Sequence, residues 1–173
     1  MSMWLEVLEG DITKIKADAI VNAANTGLAM GGGVCGAIFR AAGVKALSAA
    51  CHTIGRCPTG SAVITPAFGI KKTKFIIHAV GPVYSSHPAA EARELLRSAY
   101  RASIRLAKRN GCETIAFPAI STGIYGYPLD EACKEAVAVC VEEAAADHIL
   151  VKLVAFDVRT AECLRKHCAA AEA

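Results

Sequence analysis

Acidic residues are absent from a long part of this 173-residue chain. Between Ala19 and Ala90 there is no Asp or Glu, although the same segment carries six Lys or Arg residues. If the fold brings this segment around one cleft, the cleft will have a positive electrostatic potential. The alternative is that a buried segment rich in Ala and Gly has little surface for charged groups of either sign.

The chain also lacks the segments that are typical of membrane and secreted proteins. No apolar run reaches the ~18 residues that indicate a transmembrane helix. The first ten residues, MSMWLEVLEG, have neither the basic nor the apolar region of a signal peptide. We therefore expect a cytoplasmic protein without membrane contact. No long basic run is interleaved with aromatic residues, so nucleic acid is not the expected partner.

Eight cysteines are present, but none has C-x-x-C spacing and no His pair joins them at zinc-finger spacing. We expect reduced thiols, most of them acting as small buried hydrophobic residues. We predict no metal ion and no cofactor.

Apolar runs of strand length alternate with helical periods along the chain, which predicts one α/β domain over residues 1–173 with a largely parallel inner sheet. Strands are predicted over residues 4–8, 19–24, 61–65, 74–80, 114–118 and 150–156, and helices over 34–54 with a break near Gly43, 91–109, 129–147 and 160–169. Ligands of such sheets bind at the carboxyl ends of the strands. Chemistry is therefore expected in the loops after Ala24, Pro118 and Phe156.

The sequence GGGVCG, residues 31–36, precedes a predicted helix. Glycines let backbone N–H groups approach an anion closely, and the helix dipole favours negative charge there. The spacing formally matches G-x-G-x-x-G, but the preceding strand ends too early and no acid follows within 20 residues, so a Rossmann site is excluded. A phosphate-binding loop of another design and a simple glycine hinge remain as alternatives.

The sequence AISTGIYGYP, residues 119–128, also lies between a strand and a helix. Its hydroxyls and glycines could form a second anion-binding nest. A nucleophile elbow at Ser121, with Asp157 and His167 completing a hydrolase triad, is the weaker alternative because the next helix begins too far on.

Two further segments carry polar groups suited to a nucleotide sugar. The amides of Asn22 and Asn25 can donate to and accept from sugar hydroxyls, although Asn is also common in turns. The Asp11 carboxylate can accept a hydrogen bond from an exocyclic amine such as that of adenine, or Asp11 can serve only as a turn residue. Two anion loops, sugar-reading amides and an acceptor carboxylate together describe a pocket for a nucleoside diphosphate sugar.

These segments, in this order, resemble the macrodomain family. The matching pieces are GDIT (10–13), DAIVNAAN (18–25), GGGVCGAI (31–38), CPTGSAVIT (57–65), HAVGP (78–82) and AFPAISTGIYGYP (116–128). They are most similar to the bacterial subgroup that removes acetyl or protein adducts from ADP-ribose. The resemblance implies a three-layer α/β/α sandwich with a mixed, centrally parallel sheet and ADP-ribose in a cleft at its crest.

The resemblance also implies a role for individual residues. Asp11 would hold the adenine amine, with Ile12 and Phe156 beside the adenine, and Asn25 would hydrogen-bond the distal ribose. The diphosphate and the distal ribose would be held by Gly32, Gly33 and Val34 on one side and by Ser121, Thr122, Gly123, Ile124 and Tyr125 on the other.

The implied activity is hydrolysis of an ester on the distal ribose, in O-acetyl-ADP-ribose or in proteins with mono-ADP-ribose on acidic side chains. The hydrolytic subgroup usually has Asp after GGGV, thought to help the attacking water, whereas this chain has Cys35. A thiolate at a helix start could act as base or nucleophile, or Cys35 could be a spacer. The alternatives to an enzyme are a non-catalytic ADP-ribose reader and a protein that binds RNA or poly-ADP-ribose through its basic stretch.

Overall fold

Six strands form one mixed sheet in the computed structural model, which describes residues 3–172. The strands are β1 (Leu5–Glu9), β2 (Ala19–Ala23), β3 (Ala62–Pro66), β4 (Phe75–Ala79), β5 (Thr114–Phe117) and β6 (Leu150–Ala155). Their order across the sheet is β1-β6-β5-β2-β4-β3. All neighbours are parallel except β3 and β4. The carboxyl ends of five strands therefore meet at one edge of the sheet, which we call the crest.

Five α-helices connect and flank the strands. They are α1 (Gly33–Ala42), α2 (Val44–Ile54), α3 (Ala89–Arg109), α4 (Leu129–Asp147) and α5 (Val158–Ala171). The predicted break in the first helical segment is confirmed at Gly43, whose φ of +107° no helix residue adopts. Helix α5 begins two residues before the prediction because the Asp157 carboxylate accepts a hydrogen bond from the Thr160 N–H at 2.7 Å and caps the helix.

The sheet is covered by helices on both faces, and each face has its own hydrophobic core. Residues of α3, α4 and α5 pack on one face, where the rings of Tyr100 and Phe117 lie 4.9 Å apart. Residues of α1 and α2 pack on the other face around Phe39 and Leu47. Because both faces are buried, the inner strands are apolar on both sides. The three-layer α/β/α fold with a mixed, centrally parallel sheet is confirmed.

Helices α3 and α4 are joined by two buried carboxylates. Glu143 accepts from Arg101 at 2.9 Å and from Arg105 at 3.4 Å. Glu135 is bonded in the same way by Arg93 and Arg97, each at 3.0 Å. The two acids therefore fix the register between the helices.

No single helix within residues 3–172 has the length and apolar composition to cross a membrane; α1 and α2 meet that test only as a pair bent by 109°.

All eight cysteines are free thiols, and seven of them are buried, as the sequence predicted.

Candidate functional site

The glycine-rich segment forms the start of α1 at the crest. Gly32 is the N-cap residue, and α1 begins at Gly33, whose φ of +54° lies in the left-handed region that favours glycine. No side chain in the described part of the chain caps this helix. Within residues 3–172, the backbone N–H groups of Gly32, Gly33 and Val34 have no protein acceptor. Unpaired N–H groups at a helix N-terminus attract an anion.

Two side chains hold this glycine loop in place. The carboxamide of Asn25 donates to the Ala29 carbonyl at 2.9 Å and accepts from the Ala29 N–H at 3.0 Å. The Cys35 sulfur accepts from the Gly31 N–H at 3.4 Å and donates to the same Ala29 carbonyl at 3.8 Å. Asn25 and Cys35 therefore brace the backbone of residues 29–31 from opposite ends of the loop.

Cys35 is buried in the first turn of α1, with 7% of its surface exposed. Among the described residues, its sulfur is hydrogen-bonded by backbone groups alone. No imidazole or carboxylate of residues 3–172 is hydrogen-bonded to this sulfur to take its proton. This environment favours the spacer interpretation of Cys35 over the base or nucleophile interpretation.

The second loop, residues 119–128, is fixed by its own hydrogen bonds. Ser121 adopts φ +69°, is 5% exposed and donates its hydroxyl proton to the Pro82 carbonyl at 2.9 Å. Thr122 donates to the Ala119 carbonyl at 2.8 Å. The Tyr84 N–H donates to the Tyr125 carbonyl at 2.9 Å, which ties the loop to its neighbour after β4. The hydroxyls of Ser121 and Thr122, which the sequence assigned to an anion-binding nest, therefore hold the backbone of the loop in place.

The backbone of this second loop offers anion-binding groups. Within residues 3–172, the N–H groups of Gly123, Ile124 and Tyr125 have no protein acceptor. Three consecutive free N–H groups in a loop form a concave site for an anion. The Tyr125 phenol also lies near Cys35: burial, and then the charge that Cys35 can carry, raise the pKa of Tyr125. Since β2 and β5 are neighbouring parallel strands, the two loops with free N–H groups lie beside each other at the crest.

The other end of the crest carries a carboxylate and an exposed aromatic ring. Asp11 Oδ1 accepts from Thr13 Oγ1 at 2.6 Å and from the Thr13 N–H at 2.9 Å, and these bonds lower the pKa of Asp11. Asp11 thereby caps a short 3₁₀ helix, Ile12–Lys14, that the sequence did not predict. Phe156 follows β6, pairs with no other ring among the described residues and is 79% exposed. Since β1 and β6 are neighbours, Asp11 and Phe156 lie at adjacent strand ends.

Asn22 does not belong to the crest, contrary to the sequence interpretation. It is 1% exposed and its Nδ2 donates to Nδ1 of His78 at 3.0 Å. Nε2 of His78 therefore carries the proton and donates to Thr65 Oγ1 at 3.0 Å. His78 is a satisfied core histidine, as predicted, and burial lowers its pKa to about 4.

The serine hydrolase alternative is wrong because its three residues lie in separate environments. The Ser121 hydroxyl is bonded to a carbonyl. Asp157 caps α5. His167 contacts Asp130 at 2.9 Å.

The densest group of lysines in the acid-free segment forms a solvated turn and does not line a cleft at the crest. Lys71, Lys72 and Lys74 are exposed in the turn before β4, at the edge of the sheet opposite the crest. Backbone N–H groups, rather than these lysines, supply the positive potential at the crest. The acid-free segment still keeps carboxylates away from the glycine loop.

Sequence reasoning missed one cavity. A space of about 340 Å³ lies where α3 and α4 begin, and its wall includes Tyr84, Tyr127 and Arg93. The two tyrosine rings meet edge to face with centroids 4.8 Å apart. Tyr127 belongs to the second loop, and the Tyr84 N–H is bonded to the Tyr125 carbonyl of the same loop, so the cavity borders that loop.

Comparison with known proteins shows the family of this chain. The family model of the Macro domain matches residues 21–136. The O-acetyl-ADP-ribose deacetylases of Salmonella gallinarum and Salmonella typhimurium are each 55% identical over 141 residues, which are 79% of this chain and 77% of theirs. A macro domain-containing protein of Chlorobaculum tepidum is 50% identical over 155 residues, 90% of this chain and 88% of that protein. The chain belongs to the macrodomain family.

Solved structures show the same fold. A mutant macrodomain of Oceanobacillus iheyensis with ADPR has a TM-score of 0.91 and 38% identity, over 97% of this chain and 93% of that one. The Trypanosoma brucei macrodomain in complex with ADP-ribose has a TM-score of 0.85 and 33% identity, over 94% of this chain and 68% of that one.

Proposed function

We propose that this protein binds ADP-ribose and hydrolyses an ester on its distal ribose, with O-acetyl-ADP-ribose as a substrate. The observation that carries the proposal is the pair of neighbouring loops at the crest, each with three consecutive N–H groups that are unpaired within residues 3–172. A diphosphate has the charge and acceptor oxygens that such loops bind. Relatives named O-acetyl-ADP-ribose deacetylase and structures containing ADP-ribose support the same assignment.

The strand order gives the direction in which the ligand lies. Asp11 and Phe156 follow β1 and β6, the 119–128 loop follows β5, and Asn25 follows β2. These strands are consecutive neighbours in the sheet. Adenine would therefore lie against Phe156 with its amine on Asp11, the diphosphate between the loops, and the distal ribose beside Asn25.

Asn25 retains the chemistry to orient the distal ribose. A carboxamide has two N–H donors and two acceptor lone pairs, and Ala29 uses one of each. The second N–H can donate to a ribose hydroxyl. Fixing the ribose relative to a water molecule lowers the entropic part of the barrier.

In the proposed reaction, the water oxygen bonds to the ester carbonyl carbon and the bond from that carbon to the ribose oxygen breaks. The ribose oxygen takes one proton from the water, so the products are acetate, a proton and ADP-ribose. Cys35 acts through the loop that it braces rather than by proton transfer.

A non-catalytic reader is the second candidate, and the surroundings of Cys35 favour it. The thiol has neither a base beside it nor exposure to a bound ligand. A reader would bind ADP-ribose with the same loops and leave the ester intact.

Mono-ADP-ribosylated proteins are the second proposed substrate class. Ile124, at the rim near the proposed distal ribose, is 97% exposed. A protein attached to that ribose could therefore extend into solvent. We further propose that residues 1–173 act as one unit in the cytoplasm, where eight free thiols would remain reduced.

Turnover and affinity, measured side by side in two variants, test the proposal. Acetate release from O-acetyl-ADP-ribose and the Kd for ADP-ribose are measured for the native protein, Asn25→Ala and Cys35→Ala. Both variants remove a brace of residues 29–31, but only Asn25→Ala removes the ribose contact. We expect kcat of Asn25→Ala to fall roughly 10²-fold further than that of Cys35→Ala at similar Kd. Equal losses of kcat would contradict the role of Asn25, and no turnover by the native protein with retained binding would select the reader.

A further inference from the structure

A cluster of metal-binding side chains joins α4 to α5, apart from the ADP-ribose site. It consists of Asp130 in the first turn of α4 and of Cys163 and His167 on α5. One ligand atom from each residue lies within 4.8 Å of the other two. Cys163 and His167 are four residues apart and so project from the same face of α5.

The distances in this cluster are close to those of a tetrahedral zinc site. His167 Nε2 lies 2.9 Å and Cys163 Sγ 3.7 Å from Asp130 Oδ1. With Zn–N and Zn–O bonds of about 2.0–2.1 Å and a Zn–S bond of about 2.3 Å, tetrahedral geometry requires about 3.3 Å and about 3.5 Å. A shift of a few tenths of an ångström would bring both pairs to these values.

We propose that Asp130, Cys163 and His167 bind one Zn²⁺ ion, with water as the fourth ligand. A thiolate, an imidazole and a carboxylate are all zinc ligands, and the thiolate disfavours Mg²⁺ and Ca²⁺. The Asp130 side chain is 60% exposed and that of His167 is 15% exposed, so the ion can enter from solvent on the Asp130 side. Water can reach the fourth position from the same side.

Lys166 competes with the metal for Asp130. Its ammonium group contacts Asp130 Oδ1, and this contact, with that of His167, lowers the pKa of Asp130 to about 2. The Lys166 side chain is 62% exposed, so it can turn into solvent when the ion binds. Binding converts the Cys163 thiol to a thiolate and releases its proton, and His167 binds as neutral imidazole.

The sequence alone did not reveal this site because its ligands come from two helices more than thirty residues apart. Asp130 is the second residue after the 119–128 loop and lies in the first turn of α4. A bound ion would therefore tie the first turn after that loop to α5 and stabilise the folded protein.

Zinc titration of tag-free protein tests the proposal. Four proteins are compared: the native protein, Cys163→Ser, His167→Gln and Lys166→Gln. Each is titrated with Zn²⁺ in a calorimeter with excess Mg²⁺ present, and the absorption spectrum of its Co²⁺ complex is recorded. We expect one ion per chain, thiolate-to-Co²⁺ charge-transfer bands and a rise in Tm with Zn²⁺. Cys163→Ser and His167→Gln should each weaken binding at least about tenfold, and Lys166→Gln should strengthen it.

His87→Gln is the matched control, because His87 also pairs with a carboxylate, that of Glu91 at 3.1 Å, outside the cluster. Circular dichroism verifies that every variant is folded. The proposal is overturned if Cys163→Ser binds Zn²⁺ as tightly as the native protein, if the Co²⁺ complex lacks thiolate bands, or if His87→Gln weakens binding as much as His167→Gln does.

Discussion

Gly36 gives the sharpest test of the proposal that the glycine loop binds phosphate through its backbone N–H groups. A Cβ atom at this position would lie 2.7 Å from the carbonyl oxygen of Gly31 and 3.0 Å from the Arg40 guanidinium. Arg40 is a flexible side chain that can move, whereas the Gly31 carbonyl is backbone. Restoring an acceptable contact of 3.4 Å requires that carbonyl to move by about 0.7 Å.

A shift of this size changes the direction of the N–H groups that follow Gly31. Each charge-assisted hydrogen bond contributes about 1.5–3 kcal/mol, so misdirecting one of them in Gly36→Ala should weaken ADP-ribose binding by about 10- to 100-fold. Overpacking should also cost about 1–3 kcal/mol of folding free energy. Calorimetric titration with ADP-ribose and thermal denaturation measure the two effects separately.

Gly27→Ala is the matched control in the same loop. Its Cβ would approach Asn25 Oδ1 to 3.7 Å, an ordinary van der Waals contact. We expect its Kd to stay within about threefold of the native value, which is under 1 kcal/mol. If Gly36→Ala bound ADP-ribose as tightly as Gly27→Ala, the loop would not hold the phosphate through fixed backbone N–H groups.

Three further predictions concern the ligand's adenine end, the buried histidine and the helix pair. Phe156→Ala should weaken ADP-ribose binding about 5- to 10-fold. It should not lower Tm, because the ring is 79% exposed. Equal Kd values for the variant and the native protein would exclude stacking of adenine on Phe156. His78 has a pKa of about 4 in the folded protein and about 6.5 in the unfolded chain. Between these pH values the unfolded chain binds more protons than the folded protein does. The free energy of unfolding should therefore fall by up to about 3 kcal/mol as the pH drops from 6.5 to 4. Urea denaturation should show a smaller acid loss for His78→Gln. Glu143→Gln, which weakens the contacts with Arg101 and Arg105, should lower the free energy of unfolding by about 1–2 kcal/mol; an unchanged Tm would show that the pair is not stabilising.

The regular elements and the positions of the two loops at the crest were predictable because their signals are local. Every predicted strand and helix is present, with ends shifted by at most two residues, and Gly43 interrupts the helices where the pattern indicated. Glycines before α1 and Ser-Thr-Gly after β5 indicated anion-binding loops without any knowledge of the fold.

Features that depend on which side a residue faces, or on distant contacts, were not predictable. Asn22 lies in a strand buried on both faces, so alternation could not show that its amide points to His78. The lysines at 71, 72 and 74 share a segment with the glycine loop but lie at the opposite edge. The contacts of the Cys35 sulfur with Gly31 and Ala29 follow from the path of the loop, which spacing alone does not give.

Acetate release from O-acetyl-ADP-ribose by the native protein, compared with Cys35→Asp, tests the central claim most directly. Among the described residues, only backbone groups hydrogen-bond to the Cys35 sulfur. In the proposed mechanism Asn25 and the loops position the substrate, so an acid at position 35 should be dispensable. We predict that the native protein turns over and that Cys35→Asp is within about tenfold of it. The account is contradicted if both proteins bind ADP-ribose but only Cys35→Asp releases acetate, since the native protein would then be a reader.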